Sequence, residues 1–596
     1  MPRKARRMSD LSEAARRWGI EPGYHDVFGK WHEASPDTLA LMIDVLSRGR
    51  SEPAQLMPVP VQAPIRAWQG DGRRHWLLAV QLYGVRSQRN WGIGDFTDLA
   101  NLIPIASRFG ASGIGLNPLH ALFPEWPERA SPYAPNSRLY INPLYIDVEA
   151  IPEFPKFDVR GLKIEVAPLR QSELVDYPAV ARAKMAALRL AHERFRTQAA
   201  HPRREDFELF RQGHGEALLR FATFEVLRKV HVSKPWPEWP QPWRTPDRTS
   251  IERFRQAHLA EVEFHEYVQW VADTQLAACK ELARTNGMTV GLYIDLAVGI
   301  DPHGADAWSH QDAVLSAMSV GAPPDELNRA GQDWGLTPFN PHNVADNDFA
   351  PMRSLLASNM RHAGAIRLDH VLGLNRVYMV PRGHGAADGV YVHFPFEHLL
   401  RVIAEESVKY RCTVIGEDLG TVPEGFRDTT AKWGLWSYRV MLFERENDGR
   451  FKPPQWYPAD ALATFNTHDL PSFAGWMQRH DIAVKRRLGI DPGETDESRD
   501  WAKAKLRDVL KQHGSDYASD SVVAVANFLG QTPSKFVAMA LDDILGEIEQ
   551  LNVPGTTDEH PNWRRKLAVP LEHLAGHRQF ALVAEAFARA GRCPAG

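Results

Sequence analysis

GAIRLDHVLGL, residues 364–374, opens on a glycine, runs through a short apolar stretch and closes on a carboxylate, Asp369, with His370 behind it. A nearly continuous apolar run of this length reads as a strand buried on both faces, the kind found in parallel sheets covered by helices. Side chains two apart on a strand share a face, so Arg367 and Asp369 point the same way. The design recurs twice. CTVIGEDLG (412–420) ends its apolar run at Glu417 and Asp418, and ALATFNTHDLP (461–471) carries Asp469 just past its run. Five further runs have the same character: WLLAVQL (76–82), SGIGLN (112–117), TVGLYID (289–295), SYRVMLF (437–443) and FVAMAL (536–541). Eight such strands separated by helical stretches predict an α/β fold, a closed (β/α)8 barrel of the TIM type. In these barrels the reacting groups sit at the C-terminal strand ends. A single acid closing one strand is ordinarily a cap or a structural group. Three acids on three strands of one barrel point to chemistry.

The spacing is uneven. Helical pieces at 179–199, 204–231 and 250–286, with a Trp/Pro segment KPWPEWPQPW (234–243), predict a mostly helical subdomain inserted at about 118–286. Ahead of the barrel, residues 1–51 read as a short helical extension, with Leu11, Ala14, Ala15 and Trp18, then Leu39, Met42, Ile43 and Leu46, at helical spacing. The proline density of 52–64 marks a linker covering 52–75, so residues 1–64 are expected to be removable without loss of a folded core, and the barrel is expected to fill 76–596.

The 596 residues are 44% hydrophobic, enough for a large core and more than one barrel needs. A net charge of −4 with no basic stripe argues against nucleic-acid binding, and the basic PRKARR (2–7) reads as a solvated tail. Cys279, Cys412 and Cys593 are far apart, with no CxxC or His–Cys cluster, so neither a disulfide scaffold nor a zinc site is expected. The N-terminus lacks an apolar signal region, and no run is long enough to cross a membrane. A soluble, cytoplasmic protein is the expectation. The 18 tryptophans suit either sugar rings or ordinary core packing.

Arg367 beside Asp369 is expected to hold that carboxylate ionised. Glu417, in an apolar run beside Asp418, is expected to stay protonated more readily. One ionised and one protonated carboxyl is the pattern of retaining glycosidic chemistry. A buried Arg–Asp pair that only orders the core is the structural alternative.

At these residues the sequence resembles a known family. IRLDHVLGL (366–374), VIGEDLGTVP (414–423) and THDLP (467–471) are similar to the active-site motifs of the amylomaltases, 4-α-glucanotransferases related to the α-amylases. NWGIGDFTDL (90–99), SPYAPNSRLYINPLYIDV (131–148), GAPPDELNRAGQDWGLTPFNP (321–341) and PGTTDEHPNWRRKL (554–567) resemble that family's first barrel loop, substrate-lining segment, mobile loop and C-terminal signature. The resemblance spans roughly residues 76–567. It implies Asp369 as nucleophile, Glu417 as general acid/base and Asp469 as transition-state stabiliser. Arg367 would orient Asp369, His370 and His468 would bond sugar hydroxyls, Asp295 would lie near the donor ring, and Tyr133 would stack on a glucose. The implied partners are maltooligosaccharides and α-1,4-glucans, with glucose as acceptor and no metal or organic cofactor. GIEPGYHDVFGKW (19–31) resembles the N-terminal extension of the enterobacterial-type members, without their further β-rich segment. Two positions depart from the family pattern. Ser472 follows THDLP where Thr is common, and Glu326–Leu327 follow GAPPD where many members place aromatics. An α-1,4-glucan hydrolase and a silent glucan-binding protein are the competing readings.

Overall fold

The computed structural model describes residues 3–25, 29–57, 59, 65–154, 165–232, 234–324, 331–513 and 521–592. Glu326, Leu327 and Cys593 lie outside these, as do positions 58 and 60–64 of the proline-rich stretch.

Eight parallel strands close into a barrel in chain order: His75–Val80, Gly113–Leu116, Gly291–Leu296, Ala365–Leu368, Thr413–Gly416, Trp436–Val440, Ala461–Thr464 and Phe536–Ala540. The last pairs with the first, Phe536 against His75, so the barrel has no open edge. All eight apolar runs singled out in the sequence are these strands. Seven of them could be recognised because almost every residue in them is buried, so hydrophobicity is nearly continuous along the chain; Trp436–Val440 alternates between buried and half-buried positions. Gly364 shows how tightly neighbouring strands approach: a Cβ there would stand 1.9 Å from the Val290 carbonyl oxygen.

Between the second and third strands stand the helices Tyr177–Gln198, His201–Val230, Arg248–Ala257 and Leu259–Thr285. Two of the three tryptophans of the Trp/Pro segment are core residues here, and Trp243 packs half-buried against them. Trp236 and Trp239 pack with Phe221, Phe224 and Trp308 in a second hydrophobic cluster.

A four-stranded antiparallel sheet, absent from the sequence reading, is assembled from two excursions. Met318–Ala322 and Gln332–Leu336 come from between the third and fourth barrel strands. Arg376–Pro381 and Val390–His393 come from between the fourth and fifth. Three corrections follow at the N-terminus. The extension is not purely helical, since a hairpin, Gly23–His25 with Trp31–Glu33, separates the helices Arg3–Arg17 and Pro36–Ser47. Nor does it stand apart: Trp18, Leu39, Met42 and Leu46 pack against Met318, Val320, Met379 and Val392 of the four-stranded sheet. The linker is also shorter than expected. Residues 67–75 lie on the barrel's N-terminal face, where the Ala67 N–H donates to the Trp433 carbonyl at 2.8 Å and the Trp68 N–H to Ser407 Oγ at 2.8 Å. The prolines that marked the linker end at Pro64, and the packed stretch 67–75 contains none.

Candidate active site

Strand register assembles the site. Arg367 lies opposite Asp295 on the third strand and Ile415 on the fifth, while Leu368 lies opposite Gly416. Asp369 and Glu417 therefore leave adjacent strands side by side at the C-terminal mouth. The turn after Asp369 folds back on Gly416, where a Cβ would come within 2.8 Å of Val371 Cγ1. His370 takes a left-handed backbone, φ 47°, which disfavours a side chain by about 1 kcal/mol or more. That conformation aims its N–H at Glu417 Oε2, 3.0 Å away, while the Leu419 N–H donates to Oε1 at 2.8 Å. Both oxygens of Glu417 are thus held by backbone.

One buried guanidinium organises the carboxylates. Arg367 Nη1 lies 2.8 Å from Asp295 Oδ1 and 3.0 Å from Asp369 Oδ1, and Nη2 lies 3.9 Å from Glu417 Oε2. This corrects the expected electrostatics. Burial pushes the Asp369 carboxyl above its ordinary range; Arg367 pulls it back and Glu417 pushes it up again, leaving a net rise. Asp295 shifts upward for the same first reason, with Arg367 opposing and Asp369 adding. The single Arg367 cation does not offset burial and mutual repulsion for Asp295 and Asp369 together. Asp418 does not face Glu417 either. Its carboxylate accepts from Arg427 Nε at 2.6 Å, the Ser437 hydroxyl at 3.0 Å and the Tyr438 N–H at 3.1 Å.

Asp469 sits on the opposite rim, more exposed than the others. Its Oδ2 lies 3.2 Å from His468 Nε2, and its Oδ1 accepts from the Asn552 amide at 2.6 Å. Burial pushes its carboxyl up, but the His468 charge and these hydrogen bonds outweigh that and lower it. His468 responds in the opposite sense: burial lowers its pKa, Asp469 raises it more, and the net shift is upward. The Tyr133 hydroxyl donates to Asp295 Oδ2 at 2.6 Å, and its ring stacks on His468 with centroids 4.6 Å apart. Tyr133 therefore spends one ring face on the protein and links the Asp295 side of the cleft to the Asp469 side.

The structure gathers all eight singled-out residues at one mouth. Tyr133, Asp295, Arg367 and His468 line one cavity with Tyr293 and Tyr438, and Asp369, Glu417, His370 and Asp469 attach through the contacts above. Sequence reasoning left three contributors without a role. Trp563, inside the quoted C-terminal signature, packs against Tyr133 at 5.4 Å and His468 at 5.3 Å. Asn552 holds Asp469. Trp334, inside the quoted loop segment, meets the His370 ring edge-on at 5.1 Å. The segments of Trp563 and Trp334 were visible and Asn552 lies just ahead of one of them, but no local pattern says which strand end a distant loop will reach. The 90–99 motif serves the scaffold instead: Asp95 caps the helix Phe96–Arg108 by accepting from the Thr97 and Asp98 N–H groups. Among the described residues, no three His, Cys, Asp or Glu side chains are grouped to hold a metal ion.

Residues 80–571 match a family described as 4-alpha-glucanotransferase. The 4-alpha-glucanotransferase of Mycobacterium tuberculosis is 38% identical over 557 residues, covering 88% of this chain and 76% of that one. The Haemophilus influenzae enzyme of the same description is 36% identical over 538 residues, covering 85% and 77%. Among solved structures, amylomaltase from Corynebacterium glutamicum superposes with a TM-score of 0.84 at 28% identity, covering 98% of this chain and 99% of that one. An amylomaltase from Streptococcus agalactiae, solved in complex with acarbose, shares the fold with a TM-score of 0.72 at 19% identity, covering 87% and 100%.

Proposed function

Because the chain belongs to the 4-alpha-glucanotransferase family, we propose that the Asp369/Glu417/Asp469 mouth cuts α-1,4-glucans and rejoins the fragment to a second sugar by double displacement. The observation that carries this reading is Arg367, one buried cation in contact with Asp295, Asp369 and Glu417. Asp369 Oδ attacks the anomeric carbon as Glu417 gives its proton to the departing 4-oxygen, and a covalent glucosyl-enzyme forms. Glu417, now a carboxylate, takes the proton of an incoming 4-hydroxyl. That oxygen displaces Asp369, and two inversions retain the α configuration. Asp469 and His468 grip hydroxyls of the ring between them. Tyr133 keeps Asp295 and His468 in place and offers a sugar only the ring face that His468 leaves open.

The donors are maltooligosaccharides and longer α-1,4-glucans such as glycogen or starch, with glucose or another α-1,4-glucan as acceptor. A cytoplasmic location is supported by three scattered cysteines. Among the described residues no helix is long and apolar enough to cross a membrane. Transfer and hydrolysis share the covalent intermediate and differ in what attacks it. With water at ~55 M, transfer requires a positioned acceptor, and well-oriented reactants gain effective molarities of ~10⁵ M or more. Maltotriose alone should give glucose and a ladder of longer oligosaccharides at a constant total of reducing ends. Reducing ends that climb steadily, with nothing longer than maltotriose, would identify a hydrolase.

A further inference from the structure

The N-terminal extension holds the four-stranded sheet from several directions. Residues 19–21 run along its outer edge: Ile20 bridges Val392, the His393 N–H donates to the Gly19 carbonyl at 2.8 Å, and the Glu21 N–H donates to the Tyr391 carbonyl at 2.9 Å. The Glu21 carboxylate then binds Arg376 Nη1 at 2.8 Å and His393 Nε2 at 2.9 Å, joining two strands. Leu39, Met42 and Leu46 cover one face. The segment that enters and leaves the sheet's other two strands is tied as well. Arg48 donates to the carbonyls of Gln311 and Asp312 at 2.7 Å each, and to that of Val314. Beyond those strands, the Asn340 amide donates to the Leu46 carbonyl at 3.2 Å, and the His342 ring meets Trp18 edge-on at 5.1 Å.

The far edge of that sheet is Gln332–Leu336, which carries Trp334. Trp334 rests against His370, and His370 is the strained residue whose N–H holds Glu417 Oε2. A left-handed, non-glycine residue persists only where its surroundings over-determine it. Trp334 is one of those surroundings, and the extension fixes the sheet that presents it.

We propose that the N-terminal extension is a positioning device for Glu417, acting through the sheet, Trp334 and the His370 backbone, with Arg48 as its principal tie. The inference rests on the assignment of Glu417 as acid/base given above. Loosening the tie frees His370 to relax, and Glu417 loses a backbone donor and its aim at the departing oxygen. Proton transfer suffers while the nucleophile, held by Arg367, does not.

The test compares two donors in the full-length Arg48→Ala protein. Maltotriose needs the acid for its first step; α-glucosyl fluoride does not, because fluoride departs unprotonated. Turnover of maltotriose should fall about 5- to 20-fold with KM little changed, the size of effect expected from a misplaced catalytic group. Fluoride release in the first step should fall less than about 2-fold. Equal losses on both donors, or no loss on either, would overturn the proposal and leave the extension a stabilising element only. Should Arg48→Ala fail to fold, Glu21→Gln, which weakens the outer-edge tie, carries the same comparison. Glu417→Gln run alongside separates the two ideas. Selective loss there with equal losses in Arg48→Ala defeats the positioning role alone, whereas equal losses in Glu417→Gln defeat the acid/base assignment on which it rests.

Discussion

Asp369 is held by Arg367 at 3.0 Å and shares that cation with two other acids. Asp369→Asn keeps the shape and removes the nucleophile, so turnover of maltotriose should drop by several orders of magnitude while the circular dichroism spectrum stays unchanged. A tenth of normal activity in clean protein would place the nucleophile elsewhere. The Asp469–His468 pair makes a prediction about protons. The imidazole is raised above its ordinary 6.5 and the carboxyl lowered below its ordinary 3.8. A raised histidine contributes stability fully below pH 6.5 and loses it as pH climbs through the folded value. A lowered aspartate contributes above pH 3.8 and loses it as pH falls through its own folded value. The pair is therefore fully formed between these limits. In Asp469→Asn the imidazole should titrate at lower pH than in the unaltered protein, read from its NMR ring resonances. An unchanged titration would mean that the 3.2 Å contact carries no charge interaction.

Among elements, the N-terminal helices carry the clearest reversal of the sequence reading. Leu39, Met42 and Leu46 have no exposed surface, and burying each such side chain stabilises by roughly 1.5–3 kcal/mol. Deleting residues 1–50 should therefore strip an apolar sheet face, lower Tm by several degrees and promote aggregation. A truncated protein that stays monodisperse with an unaltered Tm would show that this face does not need its cover. The helical spacing of those leucines and methionines was plain in the sequence, yet amphipathicity says that a face is covered without saying by what. The covering partner, the four-stranded sheet, was itself invisible. Its strands are four to six residues long, come from two separate excursions, and become a sheet only when the barrel brings them together.

For the molecule as a whole, binding and folding are linked, because the cleft exists only when eight strands close. The inactive Asp369→Asn protein should gain stability from maltotriose by about 2.7 kcal/mol at 100 times its Kd, read as a rising, concentration-dependent Tm. A Tm indifferent to maltotriose, with sucrose as control, would mean that the sugar does not bind the folded cleft. Closure of the barrel also marks how far the sequence reaches. Short apolar runs, several of them nearly continuous, identified all eight strands, because burial on both faces leaves its imprint along most of them. Carboxylates at three strand ends identified the mouth, and Arg367 two residues before Asp369 revealed a shared face. Only the tertiary structure decided that one guanidinium serves Asp295, Asp369 and Glu417, that Asp418 turns away to Arg427, and that Asn552 and Trp563 complete the Asp469 rim. Each of these depends on the register between strands or on where a distant loop lands. Most of these contacts join residues tens of positions apart, as Arg367–Asp295 and Asn552–Asp469 do, and no periodicity within a single segment encodes them.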